Sequence, residues 1–187
     1  MKSCQFKLSL RNVKCLFVLH DNIEALRKNF QLHEKNYTLR LNEKICLTIY
    51  PNSKYKLHAT GISSLVDLEQ ILYFFVTNEI KVKSVEVNNT FWLIKPLIIK
   101  NFDKFAQFCK TRQKMDSVSL NLSNLGLNGD GGFLNAIFLK HLNVNGTVII
   151  HRTCSLILGP KNIDEVKLLS YDLQVLLNSY SDCLNSN

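Results

Sequence analysis

The feature that most constrains this chain is that one order of elements occurs in it twice. Phe6 to His20, reading FKLSLRNVKCLFVLH, has alternating stretches and β-favouring residues and predicts a long strand. Asp21 is placed to cap a helix, on which Ile23, Leu26, Phe30 and Leu32 form an apolar stripe. Tyr37 to Leu41 and Ile45 to Tyr50 read as strands joined by the polar turn Asn42-Glu43-Lys44. After the turn Pro51-Asn52-Ser53 a further strand runs from Lys54 to Thr60. Gly61 ends it, and Ser63 or Ser64 caps a helix with Leu65, Leu68, Ile71, Leu72 and Phe75 as its apolar positions. The order is β-α-β-β-β-α.

The second pass begins at Val82 to Ile94, a strand whose Trp92 alternates with Phe91 and is expected in the core. Asn101 caps a helix bearing Phe102, Phe105 and Phe108. Strands follow at Val118 to Leu122 and Phe133 to His141, with the loop Asn124 to Gly132 between them. A hairpin of Val148 to Arg152 and Ser155 to Leu158 turns about Thr153-Cys154, and a last helix runs from about Ile163 to Leu177. Local likeness supports a duplication: LSLRNV at Leu8 to Val13 resembles VEVNNT at Val85 to Thr90, and LTIYPNSKYKLHATGISSLVDLE echoes VIIHRTCSLILGPKNIDEVK. No Gly/Ser-rich or Pro-rich linker separates the halves. The expectation is an α+β fold: a first repeat over 1–80 and a second over 81–187, forming one continuous domain. One antiparallel sheet would carry helices on one face.

Composition narrows the function classes. With 46% hydrophobic residues the 187-residue chain can bury a real core. No spanning helix is expected, because Lys95 and Lys100 interrupt the best candidate, Phe91 to Ile99. Met1 to Cys15 carries Lys2, Lys7, Arg11 and Lys14 without an apolar core, so it does not read as a signal peptide. A reducing compartment follows, with Cys4, Cys15, Cys46, Cys109, Cys154 and Cys183 as thiols. The Asn-X-Ser/Thr matches at Asn36, Asn88, Asn121 and Asn145 are then chance products of an asparagine-rich chain. His20, His33, His58, His141 and His151 form no H-x-x-x-H, and the cysteines no C-x-x-C, so no metal is expected. Asn128-Gly129-Asp130-Gly131-Gly132 lacks the framework of a phosphate loop. Neither a Cys–His nucleophile nor a paired-carboxylate site has a local signature. The reading is therefore a non-enzyme with no cofactor and no small-molecule substrate. What remains is a surplus of 23 Lys+Arg over 15 Asp+Glu, a net charge of +8 that favours an anionic partner.

The two-repeat pattern, from about Phe6 to Tyr180, resembles the core domain of the TATA-box-binding protein (TBP) family. That fold is a saddle: one curved antiparallel sheet whose concave face lies on the DNA minor groove, with helices on the convex face. In the family each repeat opens with a strand carrying a Gln-Asn pair, and its asparagine reads base edges. Arg11-Asn12 and Asn88-Asn89 hold those places, so the resemblance implies that Asn12 and Asn89 inherit the role. An amide NH₂ can donate to A N3 and T O2, the acceptors that an A·T pair shows there. Further likenesses are Ile94-Lys95-Pro96 to the family's Lys-Phe-Pro, and Phe133 to Lys140 to Phe-Pro-Gly-Leu-Ile-Tyr-Arg-Met. Ile49 to Lys54, followed by Thr60-Gly61, resembles the family's Ile-Phe-x-Ser-Gly-Lys and Thr-Gly. The family kinks DNA with two phenylalanine wedges per repeat. Phe133 matches one, Tyr50 a second, and His151 stands at a third. The fourth falls near His33 to Lys35, where there is no phenylalanine.

Strand alternation extends the candidate face. If Asn12 meets DNA, so do Leu10, Lys14 and Leu16, while Val13, Cys15 and Phe17 face the helices. The strand ending at Thr60 offers Lys54, Lys56 and His58 on the same face; its second-repeat counterpart offers Leu156 and Leu158. The first repeat is then the more basic half. Phosphate contacts are assigned to Lys54, Lys56, Arg40, Lys140 and Arg152. Two departures from the family bear on partners. The acidic cluster of the second stirrup is missing, with only Asp130 in the loop Gly129 to Gly132. The first long helix begins Leu65-Val66-Asp67-Leu68-Glu69-Gln70 and has no Lys or Arg.

The resemblance implies a transcription initiation factor that binds AT-rich double-stranded promoter DNA and contacts transcription factors or RNA polymerase subunits. It would act in the nucleus, or in a cytoplasmic viral factory if a large DNA virus encodes it. The rival readings are a protein-interaction adaptor that has lost DNA bending, and an accessory domain of a nucleic-acid enzyme. The chain's length leaves no room for the catalytic part of the last.

Overall fold

The computed structural model describes residues 7–33, 35–95, 99, 101–112, 114–115, 118–124, 134–152 and 154–185. The chain divides into two compact units, one of Leu10–Thr90 and one of Met1–Ser9 with Phe91–Asn187. The fold is α+β, and the eleven strands among the described residues are members of one antiparallel sheet.

The unit Leu10–Thr90 is built from β1 (Lys7–Leu19), α1 (Glu24–Arg27), β2 (Gln31–His33), β3 (Asn36–Arg40), β4 (Cys46–Ile49), β5 (Lys56–Ile62), α2 (Leu65–Thr77) and the start of β6 (Val82–Lys95). Its strand order is β2-β3-β4-β5-β1. Cys15, Phe17 and Leu19 are buried at every second position of β1, as are Ile45, Leu47 and Ile49 leading into and along β4, and Leu57 and Ala59 on β5. This period of two turns one sheet face onto Ile71 and Phe75 of α2. Phe17 meets Phe75 edge to face at 4.9 Å. The expectation for Val13, Cys15 and Phe17 is borne out, since all three lie with this core.

Two expected helices differ here. The stripe Ile23 to Leu32 predicts a helix of some ten residues, but only Glu24–Arg27 is helical, and Gln31 to His33 pair with β3 as a strand. Ile23 and Phe30 are buried all the same. Ladder bonds to Asn36, Tyr37 and Thr38 have outweighed a weak helical pattern that Asp21 does not cap; Asn22 Oδ1 takes the Glu24 N–H instead. On α2, Ser64 is the cap, accepting from Asp67 N–H, but Leu65 is 77% exposed and Leu72 also lies outside. Asp67 is buried in their stead. Its carboxylate accepts from Ser63 N–H at 2.8 Å and pairs with Lys44 Nζ at 2.9 Å. The Lys44 ammonium, with the Ser63 amide next, holds this carboxyl far below the usual range.

The second unit carries the end of β6, α3 (Phe102–Thr111), β7 (Lys114–Met115), β8 (Val118–Asn124), β9 (Leu134–His141), β10 (Thr147–His151), β11 (Ser155–Leu158) and α4 (Ile163–Asn185). Its strand order is β6-β11-β10-β9-β8-β7. Phe102, Phe105 and Cys109 of α3 and Val166, Leu169, Leu173 and Leu176 of α4 cover Leu120, Ile137, Leu139, Val148, Ile150 and Ile157. Trp92 is partly buried against this core. Asn101 caps α3 by accepting from Lys104 N–H, as expected. Helix α4 passes the expected end at Leu177, because Tyr180 continues the buried stripe and meets Phe105 at 5.0 Å.

Each repeat thus holds one strand more than its sequence suggests, β2 in the first and β7 in the second. Both extra strands are short and lie at the end of their strand order.

Candidate nucleic-acid interface

In each unit the sheet has a face turned away from the buried core, and the side chains on it follow from register. In the unit Leu10–Thr90 one row across the strands is Gln31, Thr38, Thr48, His58 and Leu16. A second row is Arg40, Cys46 and Thr60. In the other unit the corresponding row is Asn121, Phe138, Ile149, Leu156 and Leu93. The first face is hydroxyl-, imidazole- and cation-bearing; the second is largely apolar.

Asn12 and Asn89 both fall on open-face positions. Asn12 alternates with Val13, Cys15 and Phe17, and Asn89 with Thr90 and Ile94, whose side chains are buried. Their surroundings differ. Asn12 Oδ1 accepts from Gly61 N–H at 2.8 Å, on the neighbouring strand. Gly61 sits where the β1–β5 register shifts, between the pairs Val13–Ile62 and Cys15–Ala59, with φ of 86°. Only glycine fits that bulge: a Cβ there would lie 1.9 Å from the Lys44 carbonyl oxygen. Asn89 Oδ1 is buried and has no hydrogen-bond partner.

The basic candidates lie as follows. Lys14 and Lys56 are exposed and flank half-buried His58. Burial first, then the Lys14 and Lys56 charges, lower the His58 pKa, so its ring is neutral near pH 7. Lys54 is exposed but precedes β5, which begins at Lys56 rather than at Lys54 as expected. Arg40 is exposed on β3, near the Glu43 carbonyl, and Lys140 is exposed on β9. Thr60 is half-buried, its hydroxyl 3.5 Å from the Cys46 carbonyl. Arg152 already has partners: Asp103 carboxylate oxygens take two of its N–H groups, and its guanidinium lies 5.0 Å from the centre of the Phe102 ring.

Of the wedge candidates, Tyr50 is 42% exposed and sits edge to face on His58, ring centres 4.8 Å apart. His151 is half-buried at the end of β10, its N–H bonded to the Cys154 carbonyl at 2.8 Å. Phe133 and the loop Asn124 to Gly132, apart from Asn124 itself, lie outside the described residues, as do Pro96 and Cys4. Among the described residues no group of His, Cys, Asp or Glu could hold a metal ion, and Cys15, Cys46, Cys109 and Cys154 are free thiols.

Sequence reasoning missed the Gly61–Asn12 bond, the Lys44–Asp67 pair and the Arg152–Asp103 pair. Each joins residues at least 23 positions apart. The only local trace was Gly61 after a strand, which reads as a terminator as readily as a bulge.

No family model and no curated protein matches this sequence. Among solved structures, the TBP of Methanococcus jannaschii superposes with a TM-score of 0.62 at 15% identity, over 92% of this chain and 98% of that one. A rolling circle replication initiator protein from Geobacillus stearothermophilus gives a TM-score of 0.42 at 9% identity, covering 90% of this chain and 80% of its own. The second likeness is too loose to argue from. The first shows that this chain has a TBP-like fold.

Proposed function

We propose that this protein is a TBP-like transcription initiation factor that binds AT-rich promoter DNA through the minor groove and recruits a polymerase. The observation that supports this is a TBP-like fold with a net charge of +8, in which Asn12 and Asn89 each alternate along a strand with residues of the buried face. The protein is no enzyme in this reading. Base discrimination comes from the two amides and from DNA deformability, while Lys14, Lys54, Lys56, Arg40 and Lys140 neutralise phosphates. His58 and Thr60 line the same face, and Tyr50, Phe133 and His151 act at base steps. Arg152 joins them only by exchanging Asp103 for a phosphate. The site of action is the nucleus or, for a virus-encoded factor, a cytoplasmic factory; the asparagine-rich bias supports a viral source.

A second reading, a protein-interaction adaptor, is favoured by α2. Its outer side exposes Leu65, Val66, Leu72, Tyr73 and Val76 with no basic residue. Apolar side chains so grouped on a surface mark contact with another protein.

Salt-titrated binding to AT-rich and GC-rich duplexes, with dyes at both duplex ends reporting bending, separates the two. The first reading expects a preference for the AT-rich duplex that Asn12→Ala with Asn89→Ala removes. It also expects a salt slope that falls by about 0.9 for each phosphate-contacting lysine replaced, as in Lys54→Ala and Lys56→Ala. Equal binding of both duplexes by the unaltered protein sinks it.

A further inference from the structure

The two central asparagines are not equivalent readers. We propose that Asn12 admits only an A·T pair, that Asn89 admits either A·T or G·C, and that Gly61 is the positioning residue responsible. This rests on the minor-groove reading above and deepens it.

The argument runs through what each amide can offer. Asn12 Oδ1 is held by Gly61 N–H at 2.8 Å, and a backbone N–H can be met only by an acceptor. The amide is therefore fixed in one sense, with Nδ2 as the atom left for a ligand; it has no partner among the described residues. Turning it over would set two donors against each other and leave Gly61 N–H unpaired. Gly61 cannot yield, because its bulge sits against the Lys44 carbonyl at a backbone conformation that only glycine adopts readily. Lys44 is anchored in turn by the buried Asp67 carboxylate. A donor fixed in this way suits the acceptor-only floor of an A·T pair and opposes the guanine N2 amino group, the one donor in the minor groove.

Asn89 has no such anchor. Its Oδ1 is buried without a partner, so turning the amide over breaks no hydrogen bond made by that oxygen. The amide is free to present NH₂ to an A·T pair or its oxygen to a guanine amino group. The site acquires a direction: a single G·C pair is tolerated by docking in the orientation that puts Asn89 over it.

The test uses the full chain and a set of duplexes with a palindromic A·T core. Inosine·cytosine replaces A·T at one central step, at its mirror step, or at both; guanine then replaces inosine, which adds only the minor-groove amino group. One guanine on either side should weaken binding less than about threefold, while guanines at both mirror steps should weaken it about tenfold or more relative to inosine at both. Asn12→Asp keeps an acceptor for Gly61 N–H, so the bulge stays intact, but it cannot donate; both Asn12→Asp and Asn12→Ala should erase most of the double-guanine penalty. Asn89→Ala should leave that penalty in place. Single guanines that each cost as much as their share of the double penalty, or a double penalty indifferent to Asn12, overturn the inference while leaving the minor-groove reading intact. Failure of the unaltered protein to prefer A·T or inosine·cytosine over an all-G·C duplex overturns both.

Discussion

Replacing Gly61 by alanine tests whether the β1–β5 bulge is as constrained as its geometry implies. At φ of 86° an added Cβ would lie 1.9 Å from the Lys44 carbonyl oxygen and 2.7 Å from its carbon. Both are backbone atoms, so no side chain can swing aside. The left-handed conformation alone costs an alanine about 1–2 kcal/mol. Forcing the Lys44 turn outward adds about 1–3 kcal/mol, the usual range for overpacking. The sum is about 2–5 kcal/mol. In a chain of this length each kcal/mol lowers Tm by roughly 2–4 °C, so the melting temperature should fall by about 4–20 °C. Gly159→Ala is the matched control. Its φ is 109°, but the nearest atom to an added Cβ, the Gly146 Cα, is 3.0 Å away. It should carry the conformational cost with little of the clash. Thermal unfolding by circular dichroism, with the two variants side by side, reads the difference. A Gly61→Ala protein that melts with the unaltered one, or above Gly159→Ala, would refute the reasoning.

Asp67→Asn keeps an acceptor for Ser63 N–H but removes the charge that strengthens that bond and pairs with half-exposed Lys44, and should cost about 1–3 kcal/mol, most of it from the weakened bond to Ser63. The folded pKa of Asp67 is depressed, so its contribution is complete above the unfolded value of about 3.9 and is lost as pH falls below it. Denaturant midpoints from pH 6 downward should therefore drop more steeply in the unaltered protein than in Asp67→Asn; parallel curves would count against the assignment. Thiol labelling should rank the cysteines by exposure and pKa. Exposed Cys183 should react first and Cys109 last, since burial removes Cys109 from solvent and pushes its pKa up to about 12. Peptide mapping after brief alkylation checks the order, and early modification of Cys109 in folded protein would contradict its place in the core.

The long elements were legible because their patterns are strong and local. β1 is long, rich in β-favouring residues and alternates in stretches, and Asn101 and the Ser63-Ser64 pair mark helix starts within a residue. What failed was decided by distant partners. The stripe Ile23 to Leu32 fits a helix until Gln31 to His33 find β3, and nothing within the segment announces that pairing. Leu65 and Leu72 fit the stripe of α2, yet the inward place beside them belongs to Asp67, whose burial depends on Lys44, 23 residues earlier. The candidate face followed from alternation, because a period of two fixes which side each residue takes once one buried neighbour is known. The inequality of Asn12 and Asn89 did not, because it rests on a bulge amide far along the chain.

The division of the chain has a consequence for how it comes to be folded. Leu10–Thr90 is a continuous stretch and can close its core, from Cys15 to Phe75, while the remainder is still being synthesised. The other unit cannot. Leu8, made before any of Leu10–Thr90, packs against a core whose Leu176 and Tyr180 come about 170 residues later in the sequence. Only the start of β1, Lys7 to Ser9, is thus kept waiting for about 170 residues of synthesis, roughly ten to thirty seconds at 5–20 residues per second, while the rest of the strand is committed early. During that interval the start of β1 lacks the core it packs against, and such exposed apolar segments are those on which chaperones act and at which neighbouring nascent chains join.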